Sequence, residues 1–225
     1  MKENKKSVLV VGGSSGLGLK LALALSSTNS VIVTGRLLPL GRTEVIFRPF
    51  SLNARDNFAS DLDGLVAELP PIELLVYAAG FYQEGEIADL SDKDIANMVN
   101  VGILAPAMLL QRLLKKQSRL AGFIAVTSTS QWTPRRLEPV YTAVKAGLGM
   151  LANSVSLDQR IEKVLVAGPA GMRTRFWNSS PRDTTTMLDP GWVAEQILDQ
   201  YTGSFKYKFV RILREPTRVE VVEVR

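Results

Sequence analysis

Cysteine and histidine are both absent from the chain. Without cysteine there is no disulfide framework, no thiolate nucleophile and no zinc–thiolate site. Without histidine, the commonest general base and the commonest transition-metal ligand are missing. No metal site is expected. Any proton transfer falls to tyrosine, lysine, aspartate or glutamate, or to a hydroxyl that one of them activates. A block of like charge is missing as well. The 27 Lys and Arg exceed the 22 Asp and Glu by a formal charge of +5. These cations are scattered, in pairs such as Lys115 with Lys116 and Arg135 with Arg136. The excess therefore predicts no nucleic-acid partner. An unbroken apolar leader is also missing. The start, residues 1–6, is basic and an apolar stretch follows, but Gly12, Gly16 and Lys20 interrupt it. No later stretch reads as long and apolar enough to span a membrane. These absences predict a soluble, cytoplasmic protein with no membrane partner.

What is present is an ordinary globular composition, 46% hydrophobic and 22% charged over 225 residues. That length suits one α/β domain over 1–225 rather than two. The organising stretch is residues 8–24. It begins as an apolar strand, residues 8–11, and turns through Gly12, Ser14, Ser15, Gly16, Leu17 and Gly18 into an apolar helix. A strand that feeds a helix through glycines suits a dinucleotide. Glycines let backbone approach the pyrophosphate, and the helix start presents free N–H groups to that anion. Alone, the stretch also fits a tight turn with no ligand.

The rest alternates. Strands are expected at 30–36, 45–50, 73–77, 122–126 and 163–167, with helices at 53–69, 91–117, 139–157 and from Pro190 onward. Ser91 caps the long helix, and Asp189 caps the one that opens with Pro190. Residues 37–44 are too short and too broken for a helix. The alternation predicts a doubly wound, mostly parallel sheet flanked by helices, a three-layer Rossmann-like α/β fold. Ligands then bind beyond the carboxyl ends of the strands. After the second strand, an acidic residue would read a ribose and repel a 2′-phosphate. The chain has Gly35 and then Arg36 there. An arginine pairs with phosphate, so NADP is expected over NAD. The plainer reading is an exposed arginine past a strand end. Residues 173–188 are polar and read either as a substrate flap or as a solvated connection. Two β-rich runs at 205–213 and 218–224 either pair as a hairpin or send only one strand to the sheet.

Tyr141 and Lys145 stand four residues apart, on one face of the helix that begins near Pro139. Ser128 lies thirteen residues before Tyr141. With the glycine spacing Gly12-x3-Gly16-x-Gly18, this ordered set resembles the short-chain dehydrogenase/reductase family, over roughly residues 7–200. The resemblance implies hydride transfer between a nicotinamide and a carbonyl or alcohol carbon of a small molecule. It implies Tyr141 as acid and base, Lys145 lowering the phenol pKa and holding the nicotinamide ribose, Ser128 on the substrate oxygen, and Asn100 holding a water. It places the cofactor against Gly12 to Gly18, Arg36, Ser51, Leu52, Ala79, Gly80, Tyr141, Lys145, Pro169 and Thr174. It also implies a homodimer or homotetramer through helices 91–117 and 139–157. The chain departs from the family pattern at Val11, Ser51, Tyr77, Ala78 and Ala170. Those departures leave a second reading open, an NADP-binding sensor or interaction protein without turnover. Arg135, Arg136, Arg173 and Arg175 either face the cleft, which would suit an anionic substrate, or are solvated. Trp132 and Trp177 either wall a pocket or pack.

Overall fold

Eight apolar runs become strands: β1 (Ser7–Val11), β2 (Ser30–Gly35), β3 (Ile46–Pro49), β4 (Leu74–Tyr77), β5 (Gly122–Val126), β6 (Val164–Pro169), β7 (Tyr207–Arg214) and β8 (Thr217–Val224). The computed structural model describes residues 5–38, 41, 43–177 and 182–225. Parts of the basic start, of residues 37–44 and of the flap (with Asn178) lie outside the described residues. The strands form one sheet in the order β3-β2-β1-β4-β5-β6-β7-β8, parallel except for the antiparallel β7–β8 pair.

Helices α1 (Gly16–Ser26), α2 (Phe58–Glu68), α3 (Asp92–Val99), α4 (Ala105–Gln117), α5 (Pro139–Val155) and α6 (Pro190–Tyr201) cover both faces. The strand period of two explains how. Val8 and Val10 pack with Leu17 and Leu21 of α1 and with Val193 and Ile197 of α6. Leu9 and Val11 face the other way, toward Leu62 of α2, Leu113 of α4 and Leu148 of α5. A parallel sheet buried on both faces reads as continuous apolar runs, as the central strands do here. From β1 the chain winds outward to β2 and β3, then returns to β4 on the other side. That reversal opens a crevice at the carboxyl ends of β1 and β4.

The long helix expected over 91–117 contains a π turn, Asn100–Leu104, between α3 and α4. Two residues account for it. The N–H of Ala105 bonds to Asn100 O, five residues back, so Val101 O loses its α-helical donor. The next donor in sequence would be Pro106, which has no N–H. The orphaned carbonyl is satisfied by the Tyr77 hydroxyl, which donates to Val101 O at 2.5 Å. Tyr77 is fully buried, and burial holds its phenol protonated, well above the ordinary tyrosine range. The departure at Tyr77 is thus matched to the helix it meets. Tyr77→Phe should leave the carbonyl unpaired and destabilise the fold by about 1–3 kcal/mol. Thermal melting of the variant checks this; an unchanged midpoint would contradict it.

The helical run Asp92–Gln117 is long and apolar enough, by length and composition, to cross a membrane, with a mean hydropathy of 1.2 in its most apolar window. This corrects the expectation that no such stretch exists. Leu109, Leu110 and Leu113 of that run are buried against the sheet, which accounts for its composition.

Other boundaries moved for local reasons. Helix α2 starts at Phe58 rather than at 53. Arg55 folds back to donate to Ser51 O at 2.7 Å and Asn53 O at 3.2 Å, and Ala54 N donates to Asn97 Oδ1 at 2.9 Å. These bonds hold 51–55 as a loop. Strand β6 runs through Pro169, where a turn was expected, because Pro169 stays in register with Ile212 of β7. The tail resolves as a hairpin with β7 in the sheet and β8 at its edge. Arg218, Glu220 and Glu223 place charge along that edge, which discourages pairing with another chain.

Candidate active site

The glycine turn fits a dinucleotide by its packing. Gly12 has φ +78 and Gly16 φ +53, backbone conformations that strain other residues. A Cβ on Gly12 would lie 2.7 Å from the Cα of Ala79, so the turn presses on the end of β4. A Cβ on Gly18 would meet Gly12 O at 2.2 Å. Backbone is therefore brought together at the start of α1, where Ser15 is the N-cap and its side chain makes no capping bond. Leu17 turns inward to the core. These residues form the cradle a pyrophosphate needs.

At the neighbouring strand end, a Cβ on Gly35 would lie 2.1 Å from the hydroxyl of Ser14. Only glycine admits Ser14 there, and Arg36 follows, exposed. Ser51 Oγ accepts from Asn53 N at 3.3 Å and shapes the loop after β3. Leu52 O accepts from the side-chain amide of Asn100 at 2.7 Å. Asn100 thus ties the π turn to that loop. Its carbonyl is also used, by Ala105 N.

Ser128, two residues past β5, is in extended backbone and accepts from Ser130 N at 3.2 Å. Tyr141 stands in the first turn of α5, and Lys145 one turn on. The expected set is brought together. Ser128 acts on the Tyr141 phenol and favours its ionised form. Lys145 Nζ lies 5.7 Å from the centre of the Tyr141 ring and donates to Val126 O at 3.2 Å. Helix α5 sits close to the π turn because Gly102 faces Val144; a Cβ on Gly102 would be 2.7 Å from that of Val144.

Burial dominates the charges. Lys145 is 5% exposed, and desolvation pushes its ammonium down to about 8. Tyr141 is 7% exposed, and burial followed by the Glu138 charge pushes its phenol well up; Ser128 and Arg182 act against them. Burial thus favours the protonated phenol.

Thr174 faces the glycine turn, 3.4 Å from where a Cβ on Gly16 would sit. The base of the flap is closed by backbone bonds, Arg173 N to Leu188 O and Leu188 N to Gly171 O, both 3.0 Å. Phe176 stands against Gly80, whose Cβ would be 3.3 Å from the ring and 3.8 Å from Lys145 Nζ. Pro169 lies inside β6 rather than in a turn.

Aromatic residues outside the expected set stand beside Tyr141. Tyr82 meets Tyr141 edge-on, ring centres 5.1 Å apart, and Phe176 and Trp177 complete an aromatic cluster beside it. Trp177 therefore lies at the site. Trp132 instead packs on Phe209 and under Arg211. Arg136 pairs with Glu86 and Arg173 with Asp189, both exposed, which favours the solvated reading of those arginines. Glu138 and Arg182 were not expected to form the ion pair they do, at 2.8 Å. Glu138 stands one turn before Tyr141 on the same helix start, and that spacing was the available signal.

A family model described as short chain dehydrogenase matches residues 6–185. The chain is 28% identical over 208 residues to the 2,3-dihydro-2,3-dihydroxybenzoate dehydrogenase of Escherichia coli strain K12, covering 91% of this chain and 80% of that protein. It is 28% identical over 224 residues to the 3-oxoacyl-[acyl-carrier-protein] reductase MabA of Mycobacterium avium, covering 96% and 79%. Its fold matches a short-chain dehydrogenase from Sphingobium yanoikuyae, solved in complex with NADPH, at a TM-score of 0.74 and 18% identity over 87% of this chain and 84% of that one. The doubly wound sheet agrees with these likenesses: the chain belongs to the short-chain dehydrogenase family of oxidoreductases.

Proposed function

We propose that the protein is an NADP-dependent oxidoreductase that interconverts a carbonyl and an alcohol on a small molecule, with Tyr141 as proton donor and acceptor. One observation carries this reading. Lys145 stands one helical turn from Tyr141, its Nζ 5.7 Å from the ring centre and close to Gly80, and Ser128 favours the ionised form of the same phenol. A nicotinamide bound there supplies or accepts the hydride. As charge grows on the carbonyl oxygen, Ser128 donates a hydrogen bond to it and Tyr141 Oη gives it a proton. Lys145 places its ammonium near the phenolate that remains and eases its formation. In oxidation Tyr141 takes the proton back. Asn100 is kept as the residue that holds a water on the proton path, from its place in the π turn. Gly12, Ser14, Ser15, Gly16, Leu17, Gly18, Ser51, Leu52, Ala79, Gly80, Pro169 and Thr174 are assigned to the cofactor.

Arg36 and Ser14 support NADP. The Sphingobium yanoikuyae structure, with its NADPH, supports the same choice. Arg36→Asp removes a cation and adds a repelling carboxylate. It should weaken NADPH by ~30-fold or more, the worth of a lost charge-assisted bond, and NADH by less than about threefold. Fluorescence titration of both nucleotides checks this, and equal weakening would remove the phosphate role.

The reading includes one domain over the whole chain, with 173–188 as a substrate flap. It includes a homodimer or homotetramer through 91–117 and 139–157, supported by the exposed apolar side chains Val99, Leu104, Met150 and Leu157 on those segments. It also includes the cytoplasm as the compartment. The reading without turnover has one observation on its side: Phe176 packs on Tyr141 and against Gly80. A carbonyl panel with NADPH absorbance as readout separates the two. Oxidation of NADPH with any carbonyl supports the enzyme; saturable binding with none supports the sensor.

A further inference from the structure

Glu138 is 2% exposed. A carboxylate this deep is rare unless it is paired, because desolvating the charge is costly. It is paired on every side. Oε1 meets Arg182 at 2.8 Å, Oε2 accepts from Ser130 Oγ at 2.8 Å, and Arg135 Nε lies 3.7 Å from Oε2. The partners come from two segments, Ser130 and Arg135 from the one after β5 and Arg182 from the one after β6. Ser130 follows β5 and holds its neighbour Ser128 through a backbone bond. Glu138 itself precedes α5 and stands one turn before Tyr141. Arg182 comes from the connection after β6.

Arg182 is fixed from a second direction. It pairs with Glu84 at 3.0 Å, and its guanidinium lies 5.5 Å from the ring centre of Tyr82 and 5.2 Å from that of Trp177. Tyr82 is the ring that meets Tyr141 edge-on. Direct contacts therefore run from Arg182 through Tyr82 to the Tyr141 ring, and from Arg182 through Glu138 to Ser130.

We infer that Glu138 is a positioning residue for Tyr141, its carboxylate binding Arg182 and Ser130 so that the segment beginning at Arg182, the Ser128 loop and the tyrosine helix are held together. The inference rests on the reading of Tyr141 as the proton-transfer group. Its second consequence is electrostatic. Lys145 shares the helix with Tyr141 and Glu138 is the N-cap residue at its start, Tyr82 and Glu84 come from the segment after β4, Ser128 and Arg135 from the segment after β5, and Arg182 from the segment after β6. Among them the Glu138 charge holds the proton on the phenol, and Arg182 opposes it.

The two partners of one ion pair should therefore move the phenol in opposite directions, which a purely structural contact would not do. Glu138→Gln keeps the shape and the bond to Ser130 but loses the charge. Its pH profile for alcohol oxidation should shift to lower pH. That of Arg182→Met should shift to higher pH, and the double variant should return toward the wild type. NADPH affinity should stay within threefold in all of them, and Glu138→Asp should recover part of the wild-type kcat. Tyr141→Phe, run alongside, separates the failures. Turnover retained in that variant removes the proton-donor reading itself. With Tyr141→Phe inactive, single-variant profiles that coincide with the wild type or move together overturn the inference. Hydrogen exchange over 173–177 and 182–188 gives a reading that needs no turnover and no substrate. Exchange should quicken at least tenfold in Glu138→Gln and in Arg182→Met; unchanged exchange in both overturns the positioning role.

Discussion

Tyr141→Phe is expected to bind NADPH within about threefold of the wild type and to lose turnover by a factor of ~10²–10⁴, the usual contribution of a positioned general acid. The ring stays and only the hydroxyl goes. Packing against Tyr82 and Phe176 is kept, since those contacts are made by ring carbons. Ser128 can still hydrogen-bond a substrate oxygen, but it carries no means of releasing a proton to it. Single-turnover kinetics with a reducible carbonyl, beside a nucleotide titration, give both quantities. A variant that keeps turnover would remove Tyr141 from the chemistry.

Lys145→Met carries the second large effect, in which activity and stability change in opposite senses. Turnover should fall by ~10²-fold or more, because the ammonium that eases phenolate formation is gone. The stability effect follows from burial. The folded protein holds Lys145 down to about 8, whereas an unfolded lysine titrates near 10.5. Below pH 8 both forms are protonated, and the fold bears the whole cost of a buried charge. Between pH 8 and 10.5 the unfolded chain binds more protons than the folded one, so wild-type stability rises with pH. Lys145→Met has no such term. Across that window the wild type should gain about 3 kcal/mol relative to the variant. The loss of the bond to Val126 O shifts the variant by a constant amount and leaves this slope untouched. Denaturant melts at several pH values test it, and parallel pH dependences would show that Lys145 is not held as a buried cation.

Much of the fold could be read in advance because its signals are local. Central strands buried on both faces appear as unbroken apolar runs, and β1 ends directly before Gly12. Ser128, Tyr141 and Lys145 were legible because a helix turn fixes Tyr141 against Lys145 and the end of β5 fixes Ser128. What stayed hidden depends on partners far apart in sequence. Nothing near Tyr77 announces that its hydroxyl will satisfy Val101 O, since the need arises from Pro106 on another helix. Glu138 reads as an ordinary helix-start carboxylate until Arg182 is folded against it. The hairpin tail was ambiguous because β7 alternates like any half-buried strand, and only its register with β6 makes it part of the main sheet. The two tryptophans divided for the same reason. Trp132 was claimed by Phe209 of β7, and Trp177 by the aromatic cluster at Tyr141.

The phenol, the ammonium and the glycine cradle share one crevice, and the account stands on chemistry occurring there. NADPH carrying deuterium at its transferable C4 position, incubated with the wild type and a panel of aldehydes and ketones, tests that most directly by mass spectrometry of the products. The account predicts one deuterium on the carbinol carbon of at least one product, and none with Tyr141→Phe. Saturable binding of the labelled nucleotide with no label in any product would contradict it.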